Sequence, residues 1–361
     1  MEQRKRIIWL DYLKAIGILL VIIGHCALPP NLRKFIYSFH MPLFFFAGGL
    51  TLKMTSELSA KEFVKKKINA LLIPYIALNL CTIATWTFFG RYLTGSQDTI
   101  FTVLKGILYA NNDAIVLVCG PSWFLPTLFL TEVAVFFIYR YIFEKPEMLL
   151  TISFGFALLG YMVSLQERQT RLWHMNSVPV GMLFVTAGLF FAMKYKENGY
   201  QALIQKVSWK WIAILFFIGF LAQRYNGKVS FGGNNYKQMD LTLLAAFSLI
   251  LATVFLCMKL PQNEKNGIFR WLLFTGKTSL LFLGIHKTIL FALKWKWPQM
   301  REPSLASGAG AIIVIAGTTI VSYIIDRWFP FWIGKKGKTV NQIGAVIWIA
   351  LTIGMYVRFC M

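Results

Sequence analysis

The residues best suited to chemistry sit inside an apolar stretch. Ile7 to Leu28 reads IIWLDYLKAIGILLVIIGHCAL and carries Asp11, Lys14 and His25 among Ile, Leu, Val, Ala and Gly. At about 100° per residue, the eleven steps from Lys14 to His25 return to within about 20° of the starting direction, so the two share a helical face. Asp11 precedes Lys14 by an i,i+3 step and falls within about 60° of the same stripe. His25 suits the work of a general base, because an imidazole takes and returns a proton near neutral pH. The competing assignment is a histidine bonded to a carbonyl at a helix end. For Lys14 the alternatives are a functional polar group facing protein or a water-filled cavity, and a lysine that snorkels to the membrane boundary. Asp11 then serves to neutralise it.

Further candidates lie in other apolar runs. In FIYSFHMPLFFFAGG, Phe35 to Gly49, Pro42 predicts a kink and Gly48–Gly49 permits close helix approach; His40 sits beside the kink, as a site residue or an interfacial histidine. In PSWFLPTLFLTEV, Trp123 and Glu132 stand out. A buried carboxylate requires a partner, for which Lys14, Lys277 and His286 are the candidates. In GKTSLLFLGIHKTIL, Ser279 and His286 are seven residues apart and share a face, although Ser279 has the alternative of bonding its own i−4 carbonyl.

Motifs of soluble enzymes are excluded one by one. GKTS at Gly276 to Ser279 lacks the earlier glycine of a phosphate loop, since Trp271 stands there. There is no GxSxG elbow, and no histidine is followed five residues later by aspartate. The five cysteines show neither CxxC nor Cys/His metal spacing, so no metal is expected and they read as small core residues.

The elements that must hold these residues are membrane helices. Of 361 residues 57% are apolar and 14% charged, with a mean hydropathy of +0.58. Apolar runs recur at 7–28, 35–52, 68–90, 122–139, 148–165, 177–193, 207–222, 239–258, 271–293, 304–325 and 339–357, which predicts an all-α integral membrane protein with ten or eleven spans. The first run has early charges and no small-residue cleavage site, so it reads as a retained helix rather than a secretory signal. The net charge of +22 sits mostly in loops, where orientation and anionic lipid account for it without nucleic acid. The excess of Lys and Arg, above all Lys53, Lys61, Lys65, Lys66 and Lys67, predicts a cytoplasmic N-terminus, with that cluster on an amphipathic helix at the inner leaflet. The connection from Arg91 to Pro121, with its short apolar piece TIFTVLKGILYA, is expected outside as a re-entrant or interfacial helix. No linker or polar block of domain size appears, so residues 1–361 read as one membrane domain without an appended soluble domain.

Four motifs taken together carry a resemblance. A Lys followed by ten residues and a His in the first run, then FHMPLFFFAGG, WFLPTLFLTE and SLLFLGIH in that order, resemble the acyltransferase-3 family of bacterial multi-pass membrane acyltransferases, most of all its fucose 4-O-acetylase-like branch. Where the family usually shows FFxxSG, this chain has Ala47-Gly48-Gly49. The resemblance implies a protein of the bacterial inner membrane that moves an acyl group, usually acetyl from acetyl-CoA, to a hydroxyl of an envelope glycan or a lipid-linked saccharide precursor. It implies no permanently bound cofactor. Lys14 and His25 are about 16 Å apart along one helix. A cytosolic thioester on a flexible arm then leaves its phosphates near Lys14 and Asp11 and presents its carbonyl to His25, while His40, Trp123, Glu132, Ser279 and His286 support the site or the acceptor. The rival readings are a secondary transporter or flippase for an envelope precursor, which shares the broken polar spans, and a structural or lipid-binding subunit.

Overall fold

The computed structural model describes residues 7–54, 58–87, 99–110, 120–141, 145–166, 171–195, 198–262 and 266–328. The first apolar run forms α1 (Ile8–His25). Where one kinked span was expected over 35–52, the chain makes two helices, α2 (Pro30–Tyr37) and α3 (His40–Thr51). The break falls at Ser38–Phe39, which puts Pro42 in the first turn of α3, where its missing N–H breaks no helical bond. Next comes α4 (Ala60–Lys67), started by a capping box between Ser59 and Glu62. A π-helical turn over Ile68–Leu72 leads into α5 (Ile73–Thr85).

The apolar piece of the next connection is helical as α6 (Ile100–Tyr109), capped by the Thr99 side chain. It is followed by α7 (Phe124–Tyr141) after a 3₁₀ turn over Gly120–Trp123, and by α8 (Pro146–Gln166). The sequence then folds as α9 (Val178–Lys194), α10 (Asn198–Lys206), α11 (Trp209–Asn226) and α12 (Met239–Lys259). Last come α13 (Gly267–Lys277), α14 (Ser279–Lys296) and α15 (Leu305–Trp328). No strand occurs among the described residues, only a bridge between Ser230 and Asn235.

Six helices in these residues are long and apolar enough to cross a membrane, or up to eight if each of two bent pairs is one span. Among the described residues this is fewer than the ten or eleven runs, because α3 has 12 residues, the run at 68–90 is described only to residue 87, and the run at 271–293 divides into α13 and α14 at a 90° bend. The run at 207–222 is α11, which α10 meets at 82°. The run at 339–357 lies outside the described residues. Peripheral helices turn apolar side chains outward, among them Phe154, Leu159 and Met162 of α8 and Ile312 and Ile320 of α15. Such faces suit lipid and not water, so the chain is an all-α multi-pass membrane protein.

At the centre stands α1, which packs against α3, α12, α13, α14 and α15. Two glycine contacts set the tightest approaches around it. A Cβ on Gly276 of α13 would lie 1.9 Å from the backbone oxygen of Asp11, so α13 lies directly on the N-terminal part of α1. On the other flank, α3 and α9 meet backbone to backbone: a Cβ on Gly49 would lie 1.9 Å from the Val185 oxygen, and one on Gly188 would lie 2.0 Å from that of Phe46.

Candidate functional site

Close packing of α13 on α1 brings Lys277 and Ser279 beside Lys14. These three, with Lys67 and Glu132, line a cavity of about 280 Å³ whose remaining wall is mostly Leu, Phe, Ile and Ala. Three lysines and one carboxylate leave it cationic. Glu132, on α7, is buried, and its Oε2 lies 2.8 Å from the Lys67 Nζ at the end of α4. Its partner is thus Lys67, and not Lys14, Lys277 or His286 as the sequence suggested. The capped α4 delivers that lysine: Phe63 stacks on Phe136 with ring centroids 3.9 Å apart, and the Lys67 ammonium lies over the Phe63 ring at 5.7 Å. Gly48 leaves room for the carboxylate, because a Cβ there would come within 3.1 Å of Glu132 Oε1.

Beyond the cavity lies a histidine group. Val21 and Leu283 form part of the cavity wall, and about one helical turn further on α1 and α14 stand His25 and His286. Their rings meet edge to face with centroids 5.3 Å apart. His25 Nδ1 lies 2.7 Å from the Val21 carbonyl oxygen, and His286 Nδ1 lies 2.7 Å from that of Phe282. A carbonyl only accepts, so each Nδ1 carries a proton, and in the neutral ring each Nε2 keeps its lone pair. Carbonyl bonding, raised as the alternative to a base, is what selects the tautomer able to act as one. The Nε2 of His286 is buried without a hydrogen-bond partner among the described residues. His40, buried at the start of α3, donates from Nδ1 to the Ile36 oxygen at 2.8 Å, and its ring packs on Tyr37 at 4.9 Å.

Two further expected members do not line the cavity. Asp11 is buried at the contact of α1 with α13 and does not line the cavity. Trp123 packs on His174 at 4.7 Å and under Gly232 and meets the cavity-lining Phe124 edge to face at 6.3 Å, without lining the cavity itself. His174 has both ring nitrogens on carbonyl oxygens, those of Gly232 at 2.8 Å and Ala110 at 3.0 Å. Both bonds form together only in the doubly protonated ring. The sequence reading passed over His174 and the role of Lys67: neither has a local pattern, and only tertiary packing brings their partners to them.

A family model described as an acyltransferase domain, Acyl_transf_3, matches residues 7–327. The chain belongs to the acyltransferase-3 family. Both the cationic cavity and the histidine group of this membrane acyltransferase fall within the matched residues. Searches of curated proteins and of solved structures found no match.

Proposed function

We propose that this acyltransferase moves an acetyl group from acetyl-CoA, held from the cytoplasmic side, to a sugar hydroxyl of an envelope glycan or its lipid-linked precursor in the bacterial inner membrane. The observation that carries the reading is the 2.7 Å contact of His25 Nδ1 with the Val21 carbonyl oxygen: with Nδ1–H committed there, Nε2 of the neutral ring is left as a base about one turn past a cavity lined by three lysines. Lys14, Lys67 and Lys277 supply the charge that phosphates of the donor require, and the mostly apolar wall suits its flexible arm.

In the reaction His25 Nε2 takes the proton of the acceptor hydroxyl as that oxygen attacks the thioester carbonyl carbon. The C–O bond forms, the tetrahedral intermediate collapses with rupture of the C–S bond, and His25 returns the proton to the departing thiolate. The products are a sugar ester and the free CoA thiol. His286, edge to face with His25, holds the ring in place. The test is to incubate membranes containing the protein with acetyl-CoA labelled in the acetyl group. Label on glycan or lipid-linked sugar is expected; its absence, with transport of the unmodified precursor, would favour the flippase reading.

A further inference from the structure

Beyond His25 the chain gathers positive charge where little is expected. Ala27 and Leu28, just after the histidine, form one wall of a second pocket of about 310 Å³. Arg33 and Lys34 of α2 face it, joined by Lys228 from the α11–α12 connection and by Arg301 and Glu302 from the α14–α15 connection. Four cations meet one carboxylate. Half-buried Lys294 is within electrostatic range of Arg33 and Arg301. None of the four lining cations has a carboxylate within ion-pair distance among the described residues. Arg33 is fixed in place, because its Nη2 donates to the Cys26 carbonyl at 3.2 Å, and its Nε is buried with no acceptor.

Like charges held this close repel one another unless an anion sits among them. On the orientation favoured by the lysine distribution this is the outer end of the bundle, the side on which basic residues are normally sparse. We propose that this pocket binds an anionic oxygen group, a phosphate or a carboxylate, carried by the acceptor beside the hydroxyl that is acylated. The assignment rests on the acyl-transfer reading for the word acceptor, and on the pocket alone for the anion. An acceptor anchored there has its neighbouring hydroxyl presented toward His25, while uncharged sugars lack the anchor.

The experiment measures binding, without acyl-CoA, to the full chain in nanodiscs of zwitterionic lipid. Inorganic pyrophosphate, methyl glucuronide and uncharged methyl glucoside are titrated against wild type, the double variant Arg301→Gln, Lys228→Gln, and Lys14→Met. Both substituted outer residues are exposed and make no hydrogen bond that the fold depends on. Saturable binding of pyrophosphate or glucuronide but not glucoside is expected, weakened at least about tenfold in the double variant and retained in Lys14→Met. Preference for pyrophosphate points to a phosphate on the acceptor, and preference for glucuronide to an acidic sugar. Binding that is absent, or equal in wild type and the double variant, overturns the proposal. Displacement of both probes by phosphatidylglycerol in the disc overturns the acceptor assignment and makes the occupant a lipid headgroup. None of these outcomes depends on whether acetyl transfer is the reaction.

Discussion

Which residue does the chemistry turns on the state of two nitrogens on His25. On the proposed mechanism His25→Ala removes the base, and transfer is expected to fall about 10²–10⁴-fold with insertion and folding intact. His25→Gln should be as inactive, since an amide keeps the size but does not take the proton. Label transfer by purified variants that elute as folded protein decides the matter, and wild-type turnover by either would remove His25 from the role. Lys14 needs a different measurement. If it holds donor phosphates, Lys14→Met should raise the KM for acetyl-CoA with little change in kcat, and Lys14→Arg should keep part of the affinity. An unchanged KM in stable Lys14→Met protein would return the residue to snorkelling at the boundary. If its task is to neutralise Asp11, Lys14→Met should destabilise the fold and Asp11→Asn should restore it.

Elements matter through what they deliver. The end of α4 delivers Lys67 to Glu132, a carboxylate only 2% exposed, so Lys67→Met strands a buried charge. A loss of about 3–5 kcal/mol is expected, and the double variant Lys67→Met, Glu132→Gln should recover most of it. Thermal unfolding of the singles and the double measures the coupling; equal stability of all three would mean the pair contributes nothing. The start of the same helix responds to pH. Hydrogen bonds from the Ser59 hydroxyl and then its backbone N–H hold the Glu62 carboxyl below its ordinary value of 4.5. A depressed folded pKa means the contribution is complete above that value and is lost as pH falls through the lowered one. Amide exchange over the first turn of α4 should therefore quicken in acid, and Ser59→Ala should abolish the effect. Between α3 and α9, Gly49→Ala or Gly188→Ala forces a methyl into the opposite backbone. Each is expected to cost about 1–3 kcal/mol or more and to lower the yield of folded protein.

Across the whole molecule, orientation decides which ends of α1 meet donor and acceptor. In a cysteine-free background, a single cysteine at Lys65 should be shielded from an impermeant maleimide in intact cells and one at Trp297 modified; the reverse pattern would invert the sides assigned to both substrates. Much of this architecture is legible in the sequence. Apolar run length and helical period are local properties, so the membrane class, the placement of Asp11, Lys14 and His25 on α1 and that of Ser279 and His286 on one helix follow from reading along the chain. Four short motifs were enough to point to the family that the match over residues 7–327 shows. Other features depend on residues far apart in sequence, whose meeting is set by backbone approach at Gly276, Gly49 and Gly188 and by the breaks at Ser38–Phe39 and Thr278. Among these are the choice of Lys67 as partner of Glu132, the meeting of His25 with His286, and the gathering of Arg33, Lys228 and Arg301 from separate connections. Periodicity states which face of a helix is polar. Only packing decides what that face meets, because helix crossings are selected by the fit of small residues against backbone, and that fit is a property of pairs of helices.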